Sequence, residues 1–146
     1  MKIEDQVVSL DIAKRLEELG CKQDSLFYHY NEPYDDGEDD WVITNWFDYE
    51  TATPSKQEPF SAYSVAELGE LLPVSFKNER GNNSKLNFYI IPAVHRTDGR
   101  LFVPRQYILL YREEDTKPEA DIYCSDYKEA NCRGLILIYL LENRLI

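Results

Sequence analysis

Leu86-Asn-Phe-Tyr-Ile-Ile-Pro-Ala-Val-His95 and Arg100-Leu-Phe-Val-Pro-Arg-Gln-Tyr-Ile-Leu-Leu-Tyr111, joined through Asp98-Gly99, decide the fold class. Both runs are rich in β-branched and aromatic side chains, which fit a half-buried pleated surface. Asp-Gly suits the tight turn whose twist matches that of its flanking strands. The stretch therefore reads as an antiparallel hairpin. Pro92 and Pro104 have no amide hydrogen to give to a ladder, so they mark bulges or edge positions. Ala120 to Cys124, after Pro118, reads as a further strand.

Upstream, Ser25–Tyr30 and Trp41–Phe47 carry the same strand composition on either side of an acidic turn. Three helices complete the pattern. Ser9 can cap the first, and Ile12, Ala13, Leu16 and Leu19 form one apolar stripe before Gly20, which suits a helix end. Ser64-Val-Ala-Glu67 is a capping box that opens the second, closed by Pro73, with Val65, Leu68, Gly69 and Leu72 on its apolar face. The third is expected from an N-cap at Asp126, with Glu129 at N3, to about Asn143. Its second half is apolar nearly all round, the pattern of a helix covered on two sides. The expectation is one α+β domain over 1–146, an antiparallel sheet of four or five strands with three helices packed on it.

Composition narrows the class. A 43% hydrophobic and 29% charged chain of 146 residues can bury a core and is not compositionally disordered. The longest apolar run, Leu135–Leu141, is far short of the roughly 18 residues that span a bilayer. Met1-Lys-Ile-Glu-Asp5 lacks the basic end and apolar stretch of a signal peptide, so a cytoplasmic location is expected. Cys21, Cys124 and Cys132 have no CxxC spacing, which predicts buried free thiols in place of a disulfide framework or a zinc site.

Net charge is −11, and it is unevenly spread. Glu32, Asp35, Asp36, Glu38, Asp39, Asp40, Asp48 and Glu50 lie between Asn31 and Ser55 with no Lys or Arg among them. Such a balance argues against binding a phosphate backbone or an anionic membrane, both of which need clustered cations.

Three stretches resemble a family of small uncharacterised proteins encoded by phages and prophages. They are Ser9-Leu-Asp-Ile-Ala-Lys-Arg-Leu-Glu-Glu-Leu-Gly20 running on to Ser25-Leu-Phe-Tyr28, Ala62-Tyr-Ser-Val-Ala-Glu-Leu-Gly-Glu-Leu-Leu-Pro73, and Glu129-Ala-Asn-Cys-Arg-Gly-Leu-Ile-Leu-Ile-Tyr-Leu-Leu-Glu-Asn-Arg-Leu-Ile146. The resemblance implies a phage origin and the order helix, aromatic strand, capped helix, sheet, C-terminal helix. It brings no catalytic residues.

Nothing local reads as catalytic. His29 and His95 sit in strands without a motif-paired serine or cysteine, and the six glycines are scattered singly, so no phosphate loop or cofactor is expected. The turn Tyr34-Asp-Asp-Gly-Glu-Asp-Asp40 does not match an EF-hand loop and reads as a solvated hairpin loop without a metal. The candidate binding surface is Tyr34, Asp35, Asp36, Asp39, Asp40, Trp41 and Trp46, where acids surround interface-type aromatics. Strand alternation places half of the region's aromatics on each face, and the outer face is either covered by a helix or loop or open to a partner. The function expected is non-enzymatic interaction with a basic protein partner, as a monomer, with a homodimer through the C-terminal helix as the alternative. The alternatives are an enzyme whose site is assembled without a local motif, and mimicry of nucleic-acid charge.

Overall fold

A computed structural model describes residues 2–33, 39–45, 48, 57–77, 83–91, 94–95, 102–103, 106–113 and 122–146. A short 3-10 turn, Ile3–Asp5, leads into α1 (Leu10–Glu18). Then come β1 (Phe27–Pro33), β2 (Asp39–Asn45), β3 (Phe60–Ser61), α2 (Val65–Leu71), β4 (Ser75–Lys77) and β5 (Asn83–Ile91). β6 (Val94–His95), β7 (Phe102–Val103), β8 (Gln106–Glu113), β9 (Ile122–Asp126) and α3 (Glu129–Glu142) follow. The chain is α+β with three helices among the described residues.

The strands do not make one sheet of four or five. They divide into a three-stranded sheet, β2-β1-β3, a four-stranded sheet, β4-β5-β8-β9, and a two-stranded ribbon, β6-β7. The reason lies in two short strands that have no periodic signal. Phe60–Ser61 takes the free side of β1, and Ser75–Lys77 pairs with the start of β5, so each hairpin acquires its own neighbour. The hairpin around Asp98-Gly99 is present as β5–β8, in register from Ser84↔Glu113 to Ile91↔Gln106, and continues as β6–β7. Its turn, with Pro92 and Pro104 at the two interruptions, lies outside the described residues.

α1 ends as its sequence requires. Gly20 takes φ +84°, and the amides of Gly20 and Cys21 reach back to the carbonyls of Glu17 and Leu16, a Schellman closure. Ile12, Ala13 and Leu16 are buried, and burying a leucine side chain contributes about 1.5–3 kcal/mol. Ser9 does not cap through its hydroxyl; its amide instead donates to Asn131 Oδ1.

α2 has both halves of its capping box, with Ser64 Oγ accepting from the Glu67 amide and Glu67 Oε2 accepting from the Ser64 amide. Glu67 Oε1 also accepts the Leu26 amide at 2.9 Å, so one carboxylate ties the start of α2 to the entry of β1. Gly69, expected on the apolar face, is exposed, and a β-carbon there would meet only the Arg133 guanidinium at 3.2 Å.

α3 begins later than expected. Asp126 is the last residue of β9 and not the N-cap; its carboxylate receives the Lys128 amide and, more distantly, the Asn131 side-chain amide. An Asp can satisfy a turn two residues ahead as readily as a helix start, and here the turn wins. Ala130, Cys132, Gly134, Ile136, Leu137 and Leu140 are buried, between α1 and α2 on one side and β8 and β9 on the other. The protein's own elements thus supply the two-sided cover. The helix closes through Arg144 at φ +53°, with the Arg144 and Leu145 amides bonded to the carbonyls of Leu141 and Leu140.

Candidate functional site

Only part of the expected surface lies within the described residues. Tyr34, Asp35, Asp36 and Trp46 lie outside them, as do Gly37 and Glu38 of the acidic turn. Asp39 opens β2 opposite Pro33, and Asp40 pairs with Glu32 and is exposed. Two carboxylates face each other there across a ladder, an arrangement that disfavours the pair in isolation and favours an approaching cation.

Trp41 pairs with Asn31 and is half-buried. Its ring lies against Phe60 of β3, centroids 5.5 Å apart at 44°. The Lys14 ammonium, from α1, sits 5.0 Å from the Trp41 centroid and 5.5 Å from that of Phe60. Trp41 therefore fastens α1 to the three-stranded sheet across two rings and a cation. It is a structural joint as well as part of the surface.

Along β1 the covered-face reading holds. Tyr28, Tyr30, His29 and Asn31 are all buried, so both faces of this central strand are covered. β2 is different: it ends the strand order, and Trp41, Val42, Ile43 and Thr44 are each half-buried.

His29 is held as a neutral core residue. Its Nε2 lies 2.9 Å from the Val8 carbonyl, which can only accept, so the ring nitrogen is the donor. Burial holds its pKa below the ordinary value, opposed by that hydrogen bond and helped by the charges of Lys128 and Lys14. The side chain of His95 lies outside the described residues.

Two features escaped the sequence reading. Tyr123 and Tyr127 are each 60% exposed. Tyr123 lies opposite Leu110 on the face of β9 turned away from α3. The alternation Ile122-Tyr-Cys-Ser-Asp126 carries that signal. The second concerns the thiols. Cys132 is buried, whereas Cys21 and Cys124 are only half-buried, contrary to the expectation of three buried thiols. The Cys132 thiol donates to the Tyr107 carbonyl of β8 at 2.9 Å, and Tyr107 pairs with Asp126 of β9. Among the described residues, no three His, Cys, Asp or Glu side chains converge in a group able to hold a metal, and no helix is long and apolar enough to cross a membrane. No family model matches the chain, and neither a curated protein nor a solved structure matches it.

Proposed function

We propose that the chain is a non-enzymatic interaction protein of phage or prophage origin. In this reading it works in the cytoplasm as a monomer and binds a basic protein partner through the region from Tyr34 to Tyr49. The observation that carries the reading is the position of β2 at the end of its sheet, with Asp40 exposed and Trp41 to Thr44 only half covered. Half-exposed aromatic and β-branched side chains beside uncompensated acids suit a partner with apolar residues ringed by Lys or Arg. The phage origin rests on the three stretches quoted above. The monomer rests on the cover that α1, α2, β8 and β9 give to α3.

Affinity capture from a bacterial lysate with mass spectrometry identifies the partner, and surface plasmon resonance then tests the surface. Replacing Asp35, Asp36, Asp39 and Asp40 by Asn should slow association and flatten its salt dependence, because exposed charges act through steering. Rates unchanged from wild type at low and high ionic strength would remove this region from the binding surface.

A further inference from the structure

The free edge of β2 can be read group by group from its neighbours. The Ala62 amide donates to the Phe27 carbonyl at 2.8 Å, and the Ser61 amide turns away from β1 to Gln23 Oε1 at 2.7 Å. In an antiparallel ladder, hydrogen-bonded and non-bonded pairs alternate. β1 therefore turns the main-chain groups of Phe27, His29 and Asn31 toward the β3 side, and those of Tyr28, Tyr30 and Glu32 toward β2. Their bonded partners on β2 are Thr44, Val42 and Asp40. The amides and carbonyls of Trp41 and Ile43 are left pointing outward, and no described strand lies beyond them.

Native edges are commonly blunted by proline, lysine or a bulge. β2 has none of these: it reads Asp-Asp-Trp-Val-Ile-Thr-Asn and pairs one to one with β1 from Asp39↔Pro33 to Asn45↔Phe27. Its charges all lie at one end, where Asp39 and Asp40 lead the strand and Asp40 faces Glu32 across the ladder. They repel an acidic strand and attract a basic one. The net charge of −11 disfavours a second copy of the chain there.

We propose that β2 takes up an extended basic segment of the partner as a further strand of the β2-β1-β3 sheet. The inference rests on the reading of Tyr34 to Tyr49 as the binding surface and adds how the partner is held there. Main-chain bonds to Trp41 and Ile43 supply affinity, and the side chains around them supply selectivity. The added strand runs antiparallel to β2, as the other pairs of this sheet do. On the face shared by Asp40, Val42 and Thr44, a Lys or Arg lies beside Asp40 and Glu32, and an apolar residue lies beside Val42. On the opposite face the strand extends the half-buried row of Trp41 and Ile43.

The probe is the peptide acetyl-Thr-Thr-Val-Val-Thr-Lys-Arg-amide at millimolar concentration, with amide hydrogen exchange followed by NMR on the native chain. In the free protein the Val42 and Thr44 amides should be protected, and those of Trp41 and Ile43 should exchange freely. With the peptide, the Trp41 and Ile43 amides should exchange at least about tenfold more slowly. N-methylation of the peptide's third and fifth residues, whose amides face β2, should abolish the effect; methylation of the second and fourth should not. A peptide that shifts the Asp39 and Asp40 signals but protects neither amide, or that binds equally well in both methylated forms, overturns strand addition and leaves the charged surface standing. A peptide ending in Glu-Glu that protects the two amides as strongly overturns the basic partner instead. Absence of any shift sinks both readings. Trp41 and Ile43 amides already protected without peptide would show the edge occupied by the chain itself or by a second copy, and would also overturn the proposal.

Discussion

Gly134 and Ile12 approach so closely that a β-carbon on the glycine would lie 2.6 Å from Ile12 Cγ2, and 3.0 Å from Val8 Cγ1. Both neighbours belong to the segment that leads into and forms α1, so this glycine sets how near α3 comes to it. Overpacking costs about 1–3 kcal/mol, and the gain in helix propensity from glycine to alanine offsets only about 1 kcal/mol of it. Gly134→Ala should lower the urea midpoint. Gly69→Ala should raise it or leave it unchanged, because the only atom in its way is the end of a flexible arginine. Equal effects at the two sites would show that α1 and α3 do not meet as described.

Leu137 is 2% exposed, whereas Leu141 is only partly buried. Leu137→Ala should therefore cost about 2–5 kcal/mol, and Leu141→Ala distinctly less. Denaturant midpoints of the two variants check the ordering.

Arg144 closes α3 in the left-handed region, which costs a non-glycine residue about 1–2 kcal/mol. Glycine has no such penalty at this position. Arg144→Gly should raise the melting temperature, and an unchanged or lowered one would contradict the Schellman geometry at this end.

Acid should weaken the fold in two steps. Burial holds the folded pKa of His29 below its ordinary 6.5, so the unfolded chain takes the proton first and stability falls as pH drops below about 6.5. For Glu67, burial pushes the pKa up. Hydrogen bonds from the Ser64 hydroxyl and amide, the Leu26 amide and Ser25 outweigh it and bring the value below 4.5. Its contribution is present above the unfolded value and is lost as pH falls through the folded one. Urea midpoints taken from about pH 7.5 to 3.5 should fall less for His29→Gln in the first range and less for Glu67→Gln in the second.

Trp41→Ala should destabilise the protein by at least about 1 kcal/mol, since it removes an aromatic pair and a cation–π contact together. Lys14→Met should cost less, because Trp41 and Phe60 still meet without the cation. A stable Trp41→Ala protein that nevertheless loses its partner would make Trp41 a pure interface anchor.

The parts legible in the sequence are those where chemistry acts within a few residues. Ser64 and Glu67 announce their helix because cap and box partner are three apart, and Gly20 announces an end because it alone takes φ +84° without strain. Asp126 misled because one carboxylate serves a turn or a helix equally well from the sequence. Phe60–Ser61 could not be read at all: two residues have no period, and their strand exists only because β1 offers an edge. The bond from the Cys132 thiol to the Tyr107 carbonyl joins α3 to β8 across 25 positions, which local spacing does not encode. Of the candidate surface, composition located the acids, but the burial of Tyr28 and Tyr30 and the joint at Trp41 are tertiary facts.

Ser9 bonds to Asn131 and Arg15 to Glu142, links that span 122 and 127 positions. At about 5–20 residues per second, a ribosome needs roughly 6 to 25 seconds to add the partner after the first member of such a pair. Throughout that interval Ile12, Ala13 and Leu16 have no α3 to cover them. The nascent chain thus shows the apolar face of this segment for seconds before α3 can hide it, long enough for chaperones to bind it.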